Sequence, residues 1–265
     1  MILKYEIKSN EYSTLRQVLK NKWNISGRLI TKLKKAKSIY INGSNNVYLD
    51  FPLNSNDIIA VQIDFKEKSE NIVETKIDLD IIYEDEYYIV INKPANMPVH
   101  PSCLHYTDSL SNGVQYYYNK NNIQTKIRPV NRIDKDTSGI VIFAKNEYIQ
   151  ECLITQMKNN TFEKTYIAIL QGNLKQNSGT INAPISRKEN SIIERCINQE
   201  SGEIAITHFK LIENKENYCI VEFKLETRKN SSNTCTLKIY WSSNTRRYFI
   251  QWDIAPNFKA SASLI

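Results

Sequence analysis

Between Leu79 and Leu225 the apolar residues come in short runs, and that shortness limits what the chain can fold into. IIY (81–83), YIVIN (88–92), GIVIFA (139–144), YIAIL (166–170), EIAITHF (203–209) and YCIVEF (218–223) are each long enough for a strand. None is long enough for a helix to bury a full stripe. Acidic or turn-forming residues separate them, such as the Glu84-Asp85-Glu86 run, and Pro94, Pro98 and Pro101 force an irregular loop over NKPANMPVHPS. Two intervening stretches read differently. SLSNGVQYYYNK suggests a short helix, and NEYIQECLITQMKN places Ile149, Cys152, Leu153 and Met157 at helical spacing. Strands in succession with segregated helices predict an α+β fold with a mostly antiparallel sheet.

The first 70 residues form a different pattern. Leu15, Val18 and Leu19 repeat at i, i+3, i+4 behind Ser13, and Leu29, Ile30 and Leu33 do so behind Ser26, which predicts two short capped helices. SIYINGSNNVYLD follows as strand, Asn42-Gly43 turn and second strand, and DIIAVQIDF as a further strand. The polar stretch KEKSENIVETK reads as a linker, placing a domain boundary near residue 70. Charge divides the same way. Residues 1–70 carry 12 Lys/Arg against 7 Asp/Glu, residues 71–226 carry 17 against 20, and residues 227–265 carry 6 against 1. The basic excess therefore sits at the two ends, where a phosphate-binding surface and an ordinary solvated face are both open readings.

No run of 18 apolar residues offers a membrane span, and MILKYEIKSNEY is unlike a signal peptide. Five widely spaced cysteines without a CxxC pair, and three histidines without a cluster, suggest neither disulfides nor a metal site. The expectation is a cytoplasmic, metal-free protein.

NRIDKDTSGIVIFAK, Asn131–Lys145, places Asp134 before a Thr-Ser-Gly turn and an apolar strand. Taken alone, such an Asp is a turn-capping residue. The surroundings change that reading. Asn131, Arg132, Ile133, Asp134, Thr137, Ser138, Gly139, Ala144 and Lys145 resemble the catalytic motif of the RluA-like pseudouridine synthases. YEDEYYIVINKPANMPVHPS, EKTYIAILQG and GEIAITHF resemble that family's other signatures, in the family's order. Residues 1–70 resemble the S-four-type RNA-binding domain that often precedes it.

The resemblance implies an α+β fold: a mainly antiparallel mixed-sheet catalytic domain with a central cleft, behind a small α/β RNA-binding domain. It implies an isomerase that converts uridine to pseudouridine in structured RNA, ribosomal RNA first and transfer RNA second, acting as a monomer. Moving the glycosidic bond from a base nitrogen to carbon 5 involves no redox step and no net addition of water, so no cofactor is expected. One carboxylate near the sugar is required, as nucleophile or as base. Asp134 is that residue by motif match, with Arg132 holding the flipped uridine and Tyr166 lying against the uracil. Lys164 is expected to face solvent or phosphate, and Asn131 to support the turn. Arg16, Ser26, Arg28, Lys32, Lys34 and Lys35 are the candidate phosphate contacts, supplying affinity more than sequence choice. The rival expectation is a catalytically inactive RNA-binding protein on the same scaffold.

The resemblance stops after Thr227. RKNSSNTCTLKIYWSSNTRRYFIQW lacks glycine and histidine where the family reads Gly-Arg-Thr-His-Gln-Ile-Arg-Val-His. Codons permitted for Arg228–Leu237 spell that family run when shifted by one base. The segment from about Arg228 is therefore expected to be a frameshift product, loosely packed and leaving a sheet edge exposed, with TLKIYW still able to pair through its backbone.

Overall fold

The computed structural model describes residues 1–8, 11–159, 161–187 and 195–226. The segment from Arg228, with its expected loose packing and the TLKIYW pairing, lies outside the described residues.

The N-terminal unit builds a sheet in the order β1-β3-β2 from β1 (Ile2–Glu6), β2 (Ile39–Ile41) and β3 (Ile58–Gln62), all antiparallel. Two helices cover it. α1 (Leu15–Gln17) runs directly into a π-helical turn over Val18–Lys22, and α2 spans Gly27–Lys35. Ser26 caps α2 by accepting the Leu29 amide at 3.3 Å, and Leu29, Ile30 and Leu33 are buried, as their spacing predicts. Ser13 does not cap α1. The N-cap is Thr14, and the Ser13 hydroxyl and amide both donate to Gln17 Oε1. The Asn42-Gly43 turn forms with φ of 49° and 83°, but the second strand of the expected hairpin does not. The first amides of α1 have no partner within the helix and take acceptors from that segment. Leu15 donates to the Phe51 carbonyl and Arg16 to that of Leu49, at 3.1 and 2.8 Å.

The larger part contains β4 (Ile81–Glu84), β5 (Tyr88–Lys93), α3 (Leu110–Lys120), β6 (Gly139–Ala144) and α4 (Glu147–Lys158). It continues through β7 (Thr165–Gln171), β8 (Ser178–Arg187), β9 (Arg195–Ile197), β10 (Glu203–Asn214) and β11 (Tyr218–Leu225). The strands form a three-stranded sheet, β4-β5-β6, and a five-stranded sheet, β7-β11-β10-β8-β9. Every ladder between described strands is antiparallel, as expected.

The unbroken apolar runs of β5 and β6 follow from burial on both faces. Ile89, Ile91, Val141 and Phe143 pack with Leu110, Val114 and Tyr118 of α3. Val90, Ile142 and Ala144 face the other way, into a cluster with α4 and the whole N-terminal core, including Leu15, Leu29 and Ile59. One core thus crosses the expected boundary. The stretch read as a linker is strapped down: the Glu67 amide donates to the Gln124 carbonyl, Thr75 to that of Asn112, and Ser69 Oγ accepts from the Ile127 amide.

Candidate active site

β5 ends and β6 begins at the same end of an antiparallel pair, with Lys93 opposite Gly139. The loop after β5 and the loop before β6 must therefore meet there. Asp134 sits in the second loop, exposed, at the start of a turn closed by the Thr137 amide on the Asp134 carbonyl at 3.1 Å. Behind the turn the chain is fixed by β6. Asn131 donates through Nδ2 to the Ile140 carbonyl and accepts the Ile142 amide, at 2.9 and 3.0 Å, so it braces the turn as expected. Gly139, at φ 125°, makes the bend into β6, a backbone region that residues with a Cβ rarely enter.

The two loops are fastened by a lysine that sequence reading passed over. Lys93 is fully buried, and its ammonium donates to the carbonyls of Pro94, Met97 and Lys135 at 2.8, 2.7 and 3.0 Å. The Met97 amide adds a bond to the Lys135 carbonyl at 3.1 Å. Burial lowers the Lys93 pKa to about 8, while the charges of Asp136 and Asp134 oppose the shift. At neutral pH the ammonium is retained, and it lies close enough to Asp134 for the two charges to interact. The signal in the sequence was only NKP. A charged residue ending an otherwise apolar strand can as easily be at its surface.

Tyr166 lies on β7, in register with Phe223. Burial, followed by the charge of Asp134, pushes its phenol up to about 12, so it is a neutral hydroxyl beside the carboxylate. Arg132 is exposed and near enough to His100 to act, after burial, in lowering that imidazole's pKa. Asp134 and Tyr166 are therefore within electrostatic reach of each other, while Arg132, two residues before Asp134 in the same loop, is placed near His100. Lys164, expected to face solvent or phosphate, is half-buried, and burial lowers its pKa.

The candidate phosphate contacts divide. Arg28, Lys34 and Lys35 are exposed on α2. Ser26 serves as a helix cap. Arg16 is held by both oxygens of Asp50, at 2.9 and 3.1 Å. Lys32 is turned inward, with its ammonium on Glu67 at 2.6 Å and Glu147 at 3.2 Å and over the Phe65 ring. Arg128 also pairs with Glu67. Among the described residues, no group of three or more His, Cys, Asp or Glu is placed to hold a metal, and no helix is long and apolar enough to cross a membrane.

Residues 87–232 match the RNA pseudouridylate synthase family. An uncharacterized RNA pseudouridine synthase of Bacillus subtilis, YjbO, is 34% identical over 204 residues, covering 77% of this chain and 71% of its own. A ribosomal large subunit pseudouridine synthase D of Borreliella burgdorferi is 31% identical over 209 residues, covering 77% of this chain and 63% of its own. In structure, human RNA pseudouridylate synthase domain containing 1 superposes with a TM-score of 0.51 at 21% identity, over 63% of this chain and 65% of that one, a likeness of fold. The chain belongs to the RNA pseudouridine synthase family.

Proposed function

We propose that this chain isomerises a uridine of structured RNA to pseudouridine with Asp134 as its catalytic carboxylate. Ribosomal RNA is the first substrate class, supported by relatives whose names carry the ribosomal large subunit, and transfer RNA the second. The observation that carries the reading is an exposed carboxylate within electrostatic reach of a neutral phenol, on a loop anchored by Lys93, with an exposed arginine two residues before it. Asp134 attacks the sugar or removes its proton once the uridine is flipped out. Arg132 holds the flipped nucleotide. Tyr166 lies against the uracil, where a neutral hydroxyl can relay the carbon 5 proton. The N-terminal unit acts as an S-four-type domain that binds phosphates through Arg28, Lys34 and Lys35. The protein works as a cytoplasmic monomer.

The test is Asp134→Asn, which keeps shape and removes charge. Pseudouridine formation on unmodified ribosomal RNA should fall by at least ~10²-fold, with folding and RNA affinity retained. Activity within tenfold of an active parent overturns the assignment.

A second reading, an inactive RNA-binding chain, rests on the sequence after Thr227, where the resemblance to the family stops. Codons permitted for Arg228–Leu237 include a set that spells a run of the family's sequence when shifted by one base, and Trp241, whose single codon is TGG, gives glycine in that frame. The nucleotide sequence decides. If the next frame after Thr227 does not encode Gly-Arg-Thr-His-Gln-Ile-Arg, the frameshift is excluded. If it does, restoring that frame should raise activity.

A further inference from the structure

α3 begins beside the catalytic loops, where the Leu110 amide donates to the Pro98 carbonyl and Ser111 Oγ to that of Val99, at 2.9 and 2.7 Å. Its other end borders a cleft of about 350 Å³, shared with the loop after α3 and with the strapped segment after residue 66. Gln115 and Tyr118, three residues apart on α3, both line the cleft, and each is more than nine-tenths buried. Gln115 donates through Nε2 to Asn119 Oδ1 at 3.0 Å, but its Oε1 has no hydrogen-bond partner, and neither has the Tyr118 hydroxyl. Burial raises the pKa of that phenol, so it keeps its proton and stands as a donor. Buried polar atoms nearly always have partners, so two without one in a single wall call for an explanation. The strap beside them is pinned on either side of its middle. The Glu67 amide donates to the Gln124 carbonyl, Ser69 Oγ accepts the Ile127 amide, and Asn112 Nδ2 donates to the Val73 carbonyl at 2.7 Å. Between these points Glu70, Asn71 and Ile72 make no hydrogen bond among the described residues. Ile72 and Ile123 give the cleft its apolar walls.

We infer that this cleft is a binding site for a free adenine or adenosine, whose base enters beneath the Glu70–Ile72 span. The inference goes beyond the catalytic reading and does not depend on it, since the cleft lies at the end of α3 away from the Asp134 loop. A flat ring suits a cleft with apolar walls and a few placed polar groups. The amino group of adenine supplies the N–H that Gln115 Oε1 lacks, and a ring nitrogen accepts the Tyr118 proton. Asn122 and Gln124, whose side-chain amides make no hydrogen bond among the described residues, remain for the other ring edge or the ribose. A simple ammonium ligand would serve Gln115 and leave the phenol donor and both apolar walls unused. The lining also argues against a base carried on an RNA chain. Lys68 is its one cation, set against the carboxylates of Glu67 and Glu74, which disfavours phosphates. A base held here bridges α3 and the strap, so binding stabilises the seam between the N-terminal unit and the larger part.

The test titrates the full chain with adenine by calorimetry and melts it with and without the ligand. Adenine at ~1 mM should bind and raise the melting temperature. Tyr118→Phe removes a hydroxyl that has no partner and keeps the ring. That variant should fold at least as stably as the parent and bind adenine about tenfold more weakly. Gln115→Met should weaken binding to a similar degree. Unsubstituted purine, which lacks the amino donor, should bind the parent less tightly than adenine does. Asp134→Asn should bind adenine as the parent does, whether or not the parent isomerises uridine. Absence of binding at ~1 mM adenine and adenosine overturns the site. So does binding that neither Tyr118→Phe nor Gln115→Met alters, or equal affinity for adenine and purine. Binding abolished by Asp134→Asn would place the ligand in the catalytic cleft, and binding of adenosine monophosphate without adenosine would mark a phosphate site; either result overturns the inference.

Discussion

Lys93 shows how much one residue can organise. Three carbonyls converge on its ammonium, one from the turn that carries Asp134. Only the charged form has three protons for three acceptors. Lys93→Met would take this donor from the Pro94 and Met97 carbonyls, at about 1–3 kcal/mol for each one that finds no water, while the Lys135 carbonyl keeps the Met97 amide. A denaturant titration should therefore show a loss of a few kcal/mol, with a larger fall in activity than Arg132→Lys produces. With its pKa near 8, the parent's isomerisation rate should decline as pH rises through that value, because the neutral amine releases one carbonyl. A rate that stays level to pH 10 would show that the third bond does not matter. Asp134 was legible in the sequence because its neighbours form an ordered motif. Lys93 was not, because its partners are carbonyls, which every residue carries, brought in by the fold of two loops.

At the scale of elements, the helices and most strands were legible and their uses less so. α2 announced itself through Leu29, Ile30 and Leu33 behind Ser26, and the structure follows that pattern. The four lysines and arginines on its other faces looked equivalent. Lys32 differs only through Glu67 and Glu147, 35 and 115 positions away, which no local pattern could reveal. The strand expected after Asn42-Gly43 failed for a related reason: α1 needed that segment's carbonyls. With Lys32 engaged, the charge that α2 has to offer RNA under the proposed function reduces to Arg28, Lys34 and Lys35. Reversing these three should weaken RNA binding about evenly across sequences and reduce the slope of log affinity against log salt by about 2–3. Filter binding at several salt concentrations measures it, and an unchanged slope would mark these side chains as solubilising only.

Across the whole molecule, the decisive group is Glu67, which joins Lys32 of α2 to Arg128 of the larger part. Burial alone would raise its pKa, but hydrogen bonds from Lys32 and Arg128 and their charges outweigh it, and the net shift is downward. A carboxylate whose folded pKa is depressed contributes stability that is complete above its unfolded value, about 4.3, and is lost as pH falls through the folded value. The parent should therefore lose stability below pH 4 more steeply than Glu67→Gln. At pH 7 that variant should already be less stable, with cleavage by a protease appearing between residues 64 and 80. Equal acid sensitivity would mean the cluster contributes nothing to the seam. The strapped segment and the shared core have one more consequence. Because the two parts share one core, the span from α2 to Asp134 is set by the fold. If RNA docks on α2 as proposed, a uridine qualifies by its distance along the folded RNA from the docked helix, and inserting a base pair between the two should silence it even with its neighbouring sequence intact.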